Sequence, residues 1–312
     1  MEYEIDKLLG DYHQRYFGEG YKKVQHKILR FQRCANGWCG KAKISKVKSW
    51  SVKERGMPLE QHLSSIDALI ISVLFSSKVF KKYHPEIELA NVILASFTMK
   101  MGNSPVTNLD NIDVSFHNMV EDGNYYTIQG NVENMRIELM FYYQKAVMSN
   151  GSLRQSLDSK LSTIFFENHY RDLSNNINHI TFKDKNLVSC QAAVLATSLK
   201  SYIGIESSFA QYTSLLSWLV IFAQIAEVDA YHFDGISRRE SANFWARKIT
   251  ARLNIHKLYR VNSEIGLELE IKKANLLNMH GDNWRTLNVA ASDVNHFVEF
   301  KAKMAHQLLR GK

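Results

Sequence analysis

Two stretches of the chain are apolar at helical spacing over most of their circumference. In residues 64–83 (SSIDALIISVLFSSKVFKKY), Ile66, Leu69, Ile70, Val73, Leu74 and Phe80 recur at intervals of three and four. Ile71 and Phe75 extend the apolar character around the helix. Residues 208–231 read the same way. A helix with so little wet face must be buried on most sides. After each helix the pattern changes to that of strands: about 90–101, 111–119 and 124–144 in the first half, the last broken near Asn131–Asn134, and about 242–256, 258–273 and 283–303 in the second. Ile265, Leu267, Leu269 and Ile271 alternate with Glu264, Gly266, Glu268, Glu270 and Lys272, which predicts a strand with one wet and one buried face. Asp122-Gly123-Asn124 and Gly281-Asp282-Asn283 mark turns. Further strands are expected upstream of each helix, about 22–33 and 41–53, and 177–198.

The halves also align locally. Asn124-Tyr125-Tyr126-Thr127-Ile128 corresponds to Asn283-Trp284-Arg285-Thr286-Leu287, an offset of 159, and Ile66-Asp67-Ala68-Leu69 to Leu216-Ser217-Trp218-Leu219, an offset of 150. Loop insertions account for the difference. The expectation is an α+β protein built as a tandem, or double, hot-dog: two antiparallel sheets, each wrapping a long buried helix, over residues 1–157 and 158–312. Joining the units edge to edge removes exposed strand edges, so the chain is expected to be a monomeric pseudo-dimer or a homodimer.

Composition narrows the function classes. Of 312 residues, 45% are hydrophobic and 22% charged, ordinary proportions for a soluble globular protein. The polar, acidic start carries no secretory signal, and the apolar run Leu215–Ala226 is too short to span a bilayer. Cys34, Cys39 and Cys190 form a sparse, odd set, which argues for a reducing compartment, the cytoplasm, and offers no metal site. The +8 charge is concentrated early, in Lys22, Lys23, Lys27, Arg30, Lys41, Lys43, Lys46, Lys48 and Lys53. It reads either as a solvated strand face or as a landing surface for something acidic, such as a carrier protein. No aromatic residues interleave with it as in nucleic-acid modules. Nor does a nucleophile elbow, a metal-binding histidine pair or a dinucleotide fingerprint occur, and no cofactor is implied.

Asp11-Tyr12 followed by Arg15-Tyr16-Phe17-Gly18-Glu19-Gly20-Tyr21 resembles the opening of the bacterial avirulence protein D (AvrD) family. So does Ser214-Leu215 ahead of Phe222-Ala223-Gln224-Ile225-Ala226. The resemblance covers nearly the whole chain. It implies synthesis of a syringolide-type C-glycosyl lipid elicitor from a β-ketoacyl chain and a ketose such as xylulose. A distant similarity to the A-factor butenolide synthases, tandem hot-dog proteins that use a β-ketoacyl thioester and a sugar phosphate, points the same way. The implied partners are an acyl thioester on acyl carrier protein or coenzyme A and a sugar or sugar phosphate. Fold analogy alone is a weak warrant for this.

Hot-dog enzymes of this type generally carry a carboxylate on the buried helix. Asp67 interrupts the apolar run of the first helix. Either burial raises its pKa and suits it as a general base for the acidic C2 proton, or it simply caps the helix N-terminus. Ser217 stands at the equivalent position of the second helix. His62 approaches the first helix as a second catalytic candidate or as a loop histidine. Arg15, Tyr16, Ser217, Arg238, Arg239 and Arg247 are candidates for substrate binding, the arginines for a carboxylate or phosphate; ion pairs of Arg238, Arg239 or Arg247 with Glu227 and Asp229 are the structural alternative. The competing functions are a thioester dehydratase or thioesterase, and a non-catalytic acyl-binding protein.

Overall fold

The computed structural model describes residues 2–47, 50–51, 60–145, 163–198, 200–279 and 281–308; the expected boundary at 157/158 lies outside them. The first long helix, α2 (Ser65–Tyr83), follows a short α1 (Ile5–Leu9). Ser64 caps α2, accepting the amide of Asp67 while the Asp67 carboxylate takes the amide of Ser64, a reciprocal capping box. Pro85 follows its end, where a helix cannot continue. The second long helix, α4 (Leu215–Asp234), comes after the single turn α3 (Phe165–Asn168). Ser214 caps it, and Gly235, left-handed at φ 63°, closes it with amide bonds back to the last turn. Ser64 and Ser214 stand 150 residues apart, so the capping register bears out the proposed helix alignment. No helix among the described residues is long and apolar enough to cross a membrane.

The strands are β1 (Val24–Cys34), β2 (Gly37–Lys46), β3 (Val92–Lys100), β4 (Ile112–His117), β5 (Val120–Asp122), β6 (Tyr125–Val132) and β7 (Met135–Tyr143) in the first half. The short pair β8 (Thr163–Ile164) and β11 (Tyr202–Ile203) lies apart from the main sheet. The second half contributes β9 (Leu173–Asp184), β10 (Leu187–Ala196), β12 (Ser241–Leu253), β13 (Ile265–Met279), β14 (Asp282–Asp293) and β15 (Val298–Leu308). The break expected near Asn131–Asn134 is the turn of the β6–β7 hairpin, and the spans 177–198 and 283–303 also fold back on themselves as hairpins. The strand expected at 258–273 begins only at Ile265.

The order across the sheet is β1-β2-β4-β6-β7-β3-β12-β15-β14-β13-β10-β9, with β5 paired to β6. Its second half is the first in reverse. β3 and β12 meet antiparallel at the seam, Lys100 opposite Lys248 and Ser96 opposite Arg252. Each helix is buried against the sheet of its own unit. This is a double hot-dog, and the reversed order is what an internal twofold repeat requires.

The units are not equally filled. In the first, Phe80 of α2 meets Phe141 of β7 and Tyr126 of β6, both at 5.4 Å between ring centres, and Phe75 meets Phe31 of β1 at 5.0 Å. At the 150-residue offset α4 carries Ile225 and Ala230 in place of Phe75 and Phe80. The aromatic contacts of α4 fall elsewhere along the helix, Phe222 on Phe300 of β15 at 5.3 Å and Tyr231 on Phe244 of β12 at 5.9 Å.

Candidate active site

A cavity of about 320 Å³ opens where the two units meet. Its depth, the apolar part of its lining, comes largely from the second unit. Leu219, Ala223 and Ala226 of α4 face Ile249 of β12 and Phe300 and Met304 of β15. Small side chains at 223 and 226 leave the space. Its mouth is polar and comes from both units: Arg15, Tyr16, His62 and Ser64 from the first, Glu227 and Arg238 from the second.

The segment after α1 brings Arg15 and Tyr16 there. Residues 15–21 form a tight knot in which the Arg15 carbonyl accepts the amides of Glu19 and Gly20, and the Tyr16 carbonyl that of Tyr21. A Cβ at Gly18 would lie 2.0 Å from the Tyr12 carbonyl oxygen, and one at Gly20 1.7 Å from that of Trp50. Only glycine fits, and neither residue forms a phosphate loop. Arg15 is 2% exposed. Its Nη1 donates to Gln224 of α4 at 2.8 Å and its Nη2 to Asp6, while its buried Nε has no partner among the described residues. Burial lowers the Arg15 pKa, offset in part by Asp6 and Glu227. Arg238 makes no hydrogen bond or ion pair among the described residues and faces the same cavity.

His62 stands edge-on to Trp50 at 5.4 Å. Its Nδ1 lies 3.0 Å from the Glu60 carbonyl, which can only accept, so Nδ1 carries the proton and Nε2 the lone pair of the neutral ring. Burial pushes its pKa down, with Lys46 acting in the same direction, which favours that neutral form.

Asp67 lies behind this mouth and does not line it. It is fully buried. Its Oδ1 lies 2.8 Å from Nε2 of His26 on β1; its Oδ2 accepts Lys46 Nζ of β2 at 2.7 Å, Ser64 Oγ at 2.7 Å and the Ser64 amide at 3.0 Å. Burial by itself would raise the pKa, but Lys46 and His26 overcome it and hold the carboxyl well below the ordinary carboxylate range. The raised pKa expected for a general base is therefore reversed. Ser64 bonds onward to the Tyr16 hydroxyl, and Lys46 also donates to the His62 carbonyl and lies 4.1 Å over Trp50. Asp67 anchors the groups that shape the mouth.

A profile of the Pseudomonas avirulence D protein (AvrD) matches residues 2–309. The chain belongs to the AvrD family. Among solved structures it is similar to the tesB protein of Mycobacterium avium subs paratuberculosis, at 9% identity over 93% of this chain and 99% of that one, TM-score 0.47. It is also similar to acyl-CoA thioesterase II TesB2 of Mycobacterium marinum (7%, 94% and 99%, 0.44) and to a putative oleoyl thioesterase of Lactobacillus plantarum (6%, 92% and 96%, 0.46). Comparison with curated proteins finds no match.

The remaining candidates of this AvrD chain divide. Arg247 lines the cavity but spends its guanidinium on the 101–105 loop, donating to the Gly102 carbonyl at 2.9 Å and Asn103 Oδ1 at 2.8 Å. Ser217 does not line the cavity; it is buried and bonds its neighbour Ser214 at 3.2 Å, a capping role. The side chain of Arg239 lies outside the described residues, as do Lys48 and Lys53. Asp229 has no arginine partner: both its oxygens are buried and unbonded among the described residues, and burial pushes its pKa up to about 7. The early lysines are less free than their number suggests, since Lys41 pairs with Asp113 and Lys43 with Asp110, both at 2.6 Å. Cys34 and Cys39 are joined in a disulfide across the β1–β2 hairpin, which removes the argument for a reducing compartment drawn from unpaired thiols.

A further ion network at the end of α4 centres on Asp234. Asp234 takes Arg285 of β14 on Oδ1, from Nε at 2.8 Å and Nη2 at 2.6 Å, and its Oδ2 lies 2.9 Å from Nε2 of His306 on β15. His306 Nδ1 is 3.5 Å from Oγ of Ser241, which lines the cavity. Sequence distance hid this group: 72 residues separate Asp234 from His306 and 65 separate Ser241 from it.

Proposed function

We propose that this protein condenses a β-ketoacyl thioester with a ketose to give a syringolide-type C-glycosyl lipid. The observation that carries the reading is the cavity: an apolar depth between α4 and β12–β15 that ends at a polar, cationic mouth. An acyl chain fits the depth, and a thioester head with a polyhydroxylated co-substrate fits the mouth. Membership of the AvrD family supports the same chemistry.

In this reading His62, neutral because burial disfavours its charged form, removes the acidic C2 proton of the β-ketoacyl group through Nε2. Arg15 and Arg238 balance the enolate and any phosphate or carrier charge, Arg15 through its unpartnered Nε. Tyr16 and Ser64 bind sugar hydroxyls. Asp67 acts through Ser64 and Lys46 and is a positioning residue. The thioester arrives on acyl carrier protein or coenzyme A from the cytoplasm.

The test is incubation of purified protein with β-ketoacyl thioesters and a panel of ketoses and ketose phosphates, followed by mass spectrometry. A product joining acyl and sugar masses, reduced by about 10²-fold or more in His62→Gln, is expected. Thioester hydrolysis or dehydration with no sugar incorporated would replace this reading by a thioesterase or dehydratase; tight binding without turnover would make the protein an acyl carrier.

A further inference from the structure

We infer that Ser241, His306 and Asp234 form a nucleophilic relay at the wall of the cavity, and that the acyl group passes through a covalent ester on Ser241. The geometry fixes the roles. An ionised carboxylate only accepts hydrogen bonds, and Asp234 is kept ionised by the two bonds from Arg285. Its contact with His306 Nε2 at 2.9 Å therefore places the imidazole proton on Nε2. The lone pair is left on Nδ1, which faces Ser241 Oγ at 3.5 Å, within the range for an unliganded site. His306 is fully enclosed, its ring set against Tyr231 and Phe244, both of which line the cavity. The orientation of base by carboxylate and of nucleophile by base is that of a hydrolytic triad, with the two ring nitrogens exchanged.

Local structure aims the serine. Arg238–Glu240 is a single 3-10 turn, and Ser241 is the first residue of β12. The β12–β15 ladder shifts register between Ser241 and Phe244, bringing Ser241 back toward His306, whose ladder partner is Phe244. Arg238, three residues earlier, opens onto the same cavity and supplies positive charge for the oxygen of a tetrahedral intermediate. The first unit does not repeat the carboxylate: at the helix offset of 150, Asp234 corresponds to His84.

The step balances without a co-reactant. Ser241 Oγ bonds to the thioester carbonyl carbon and its proton passes to His306 Nδ1. The C–S bond breaks with its electron pair on sulfur, and the proton on Nδ1 passes to the thiolate. A hydroxyl of the ketose, or water, then attacks the ester carbonyl, giving its proton to Nδ1, and Ser241 leaves and recovers it. This rests on the acyl-thioester reading for its substrate, but the nucleophile itself does not.

The experiment uses the full chain with two reagents: a fluorophosphonate probe, and an acyl N-acetylcysteamine thioester quenched in acid. Adducts are read by intact mass and peptide mapping, with circular dichroism on each variant. Both reagents are expected to modify the peptide carrying Ser241. Ser241→Ala abolishes both adducts, Ser241→Cys restores the acyl adduct, and His306→Asn slows labelling about 100-fold and flattens its pH profile. Thioester turnover that persists in a folded Ser241→Ala variant, or wild-type protein that labels at Ser241 with neither reagent, overturns the inference. Labelling by the fluorophosphonate with every thioester left intact keeps the nucleophile and removes the acyl-thioester reading.

Discussion

Asp67 and Asp229 are both carboxylates on buried helices, and their surroundings send them in opposite directions. Asp67 has an ammonium and an imidazole against it; its side chain and that of Lys46 are both fully enclosed. Removing one member of such a pair strands the other, so Asp67→Asn is expected to cost about 3–5 kcal/mol in urea unfolding. A folded-state pKa below the unfolded value of about 4 makes this contribution complete above that value and lost progressively as the pH falls below it toward the folded-state pKa. Unchanged stability of Asp67→Asn, with product lost, would restore Asp67 as the base. Asp229 behaves oppositely. With its pKa pushed up to about 7, the folded state binds the extra proton, so stability declines as the pH rises from about 4 to 7. Asp229→Asn is expected to remove that decline and to stabilise the protein at pH 8, by up to about 4 kcal/mol. A variant less stable than wild type at pH 8 would mean that the carboxylate has a partner. In the sequence the two residues look alike, because what separates them is supplied by strands. The parity of β1 and β2 did hold a hint: Val24 and His26, and Ile44 and Lys46, fall on the inward side of the pleat. A polar residue at an inward position needs a buried partner.

The long helices and most strand spans were legible because burial on one or both sides writes a strong period into the chain. The hairpins inside 177–198 and 283–303 were less so than the break near Asn131–Asn134, since a tight turn interrupts the alternation by only a few residues. Serines cap both helix starts, and the sequence does not say how unequal they are. Ser214 bonds only within its own turn, whereas Ser64 also donates to Asp67 and touches Tyr16. Ser214→Ala is expected to cost about 1 kcal/mol, and Ser64→Ala roughly 2 kcal/mol or more. Urea midpoints for the pair decide it: equal losses would mean that the Ser64 network adds nothing beyond a helix cap. The knot at 15–21 was visible as glycines and aromatics without a stated geometry. Its purpose becomes clear only when Arg15 meets Gln224, 209 residues away.

For the whole molecule, the repeat fixes the frame and the departure from it makes the site. The first unit is closed by phenylalanines between helix and sheet; the second keeps a cavity along Ala223 and Ala226. One pocket built at the first helix and completed by groups from the other half was the expectation. The structure divides the work, with the mouth at the start of α2 and the depth along α4. Pocket depth is not readable from one half at a time, because alanine in a helical run is neutral until the opposite wall is known. The central claim, that this depth holds the acyl chain, is tested most directly by the chain-length profile of thioester consumption in wild type and Ala223→Phe. Filling the cavity is expected to lower kcat/KM for long chains at least about tenfold while sparing the shortest ones. An unchanged profile in the folded variant would place the acyl chain elsewhere.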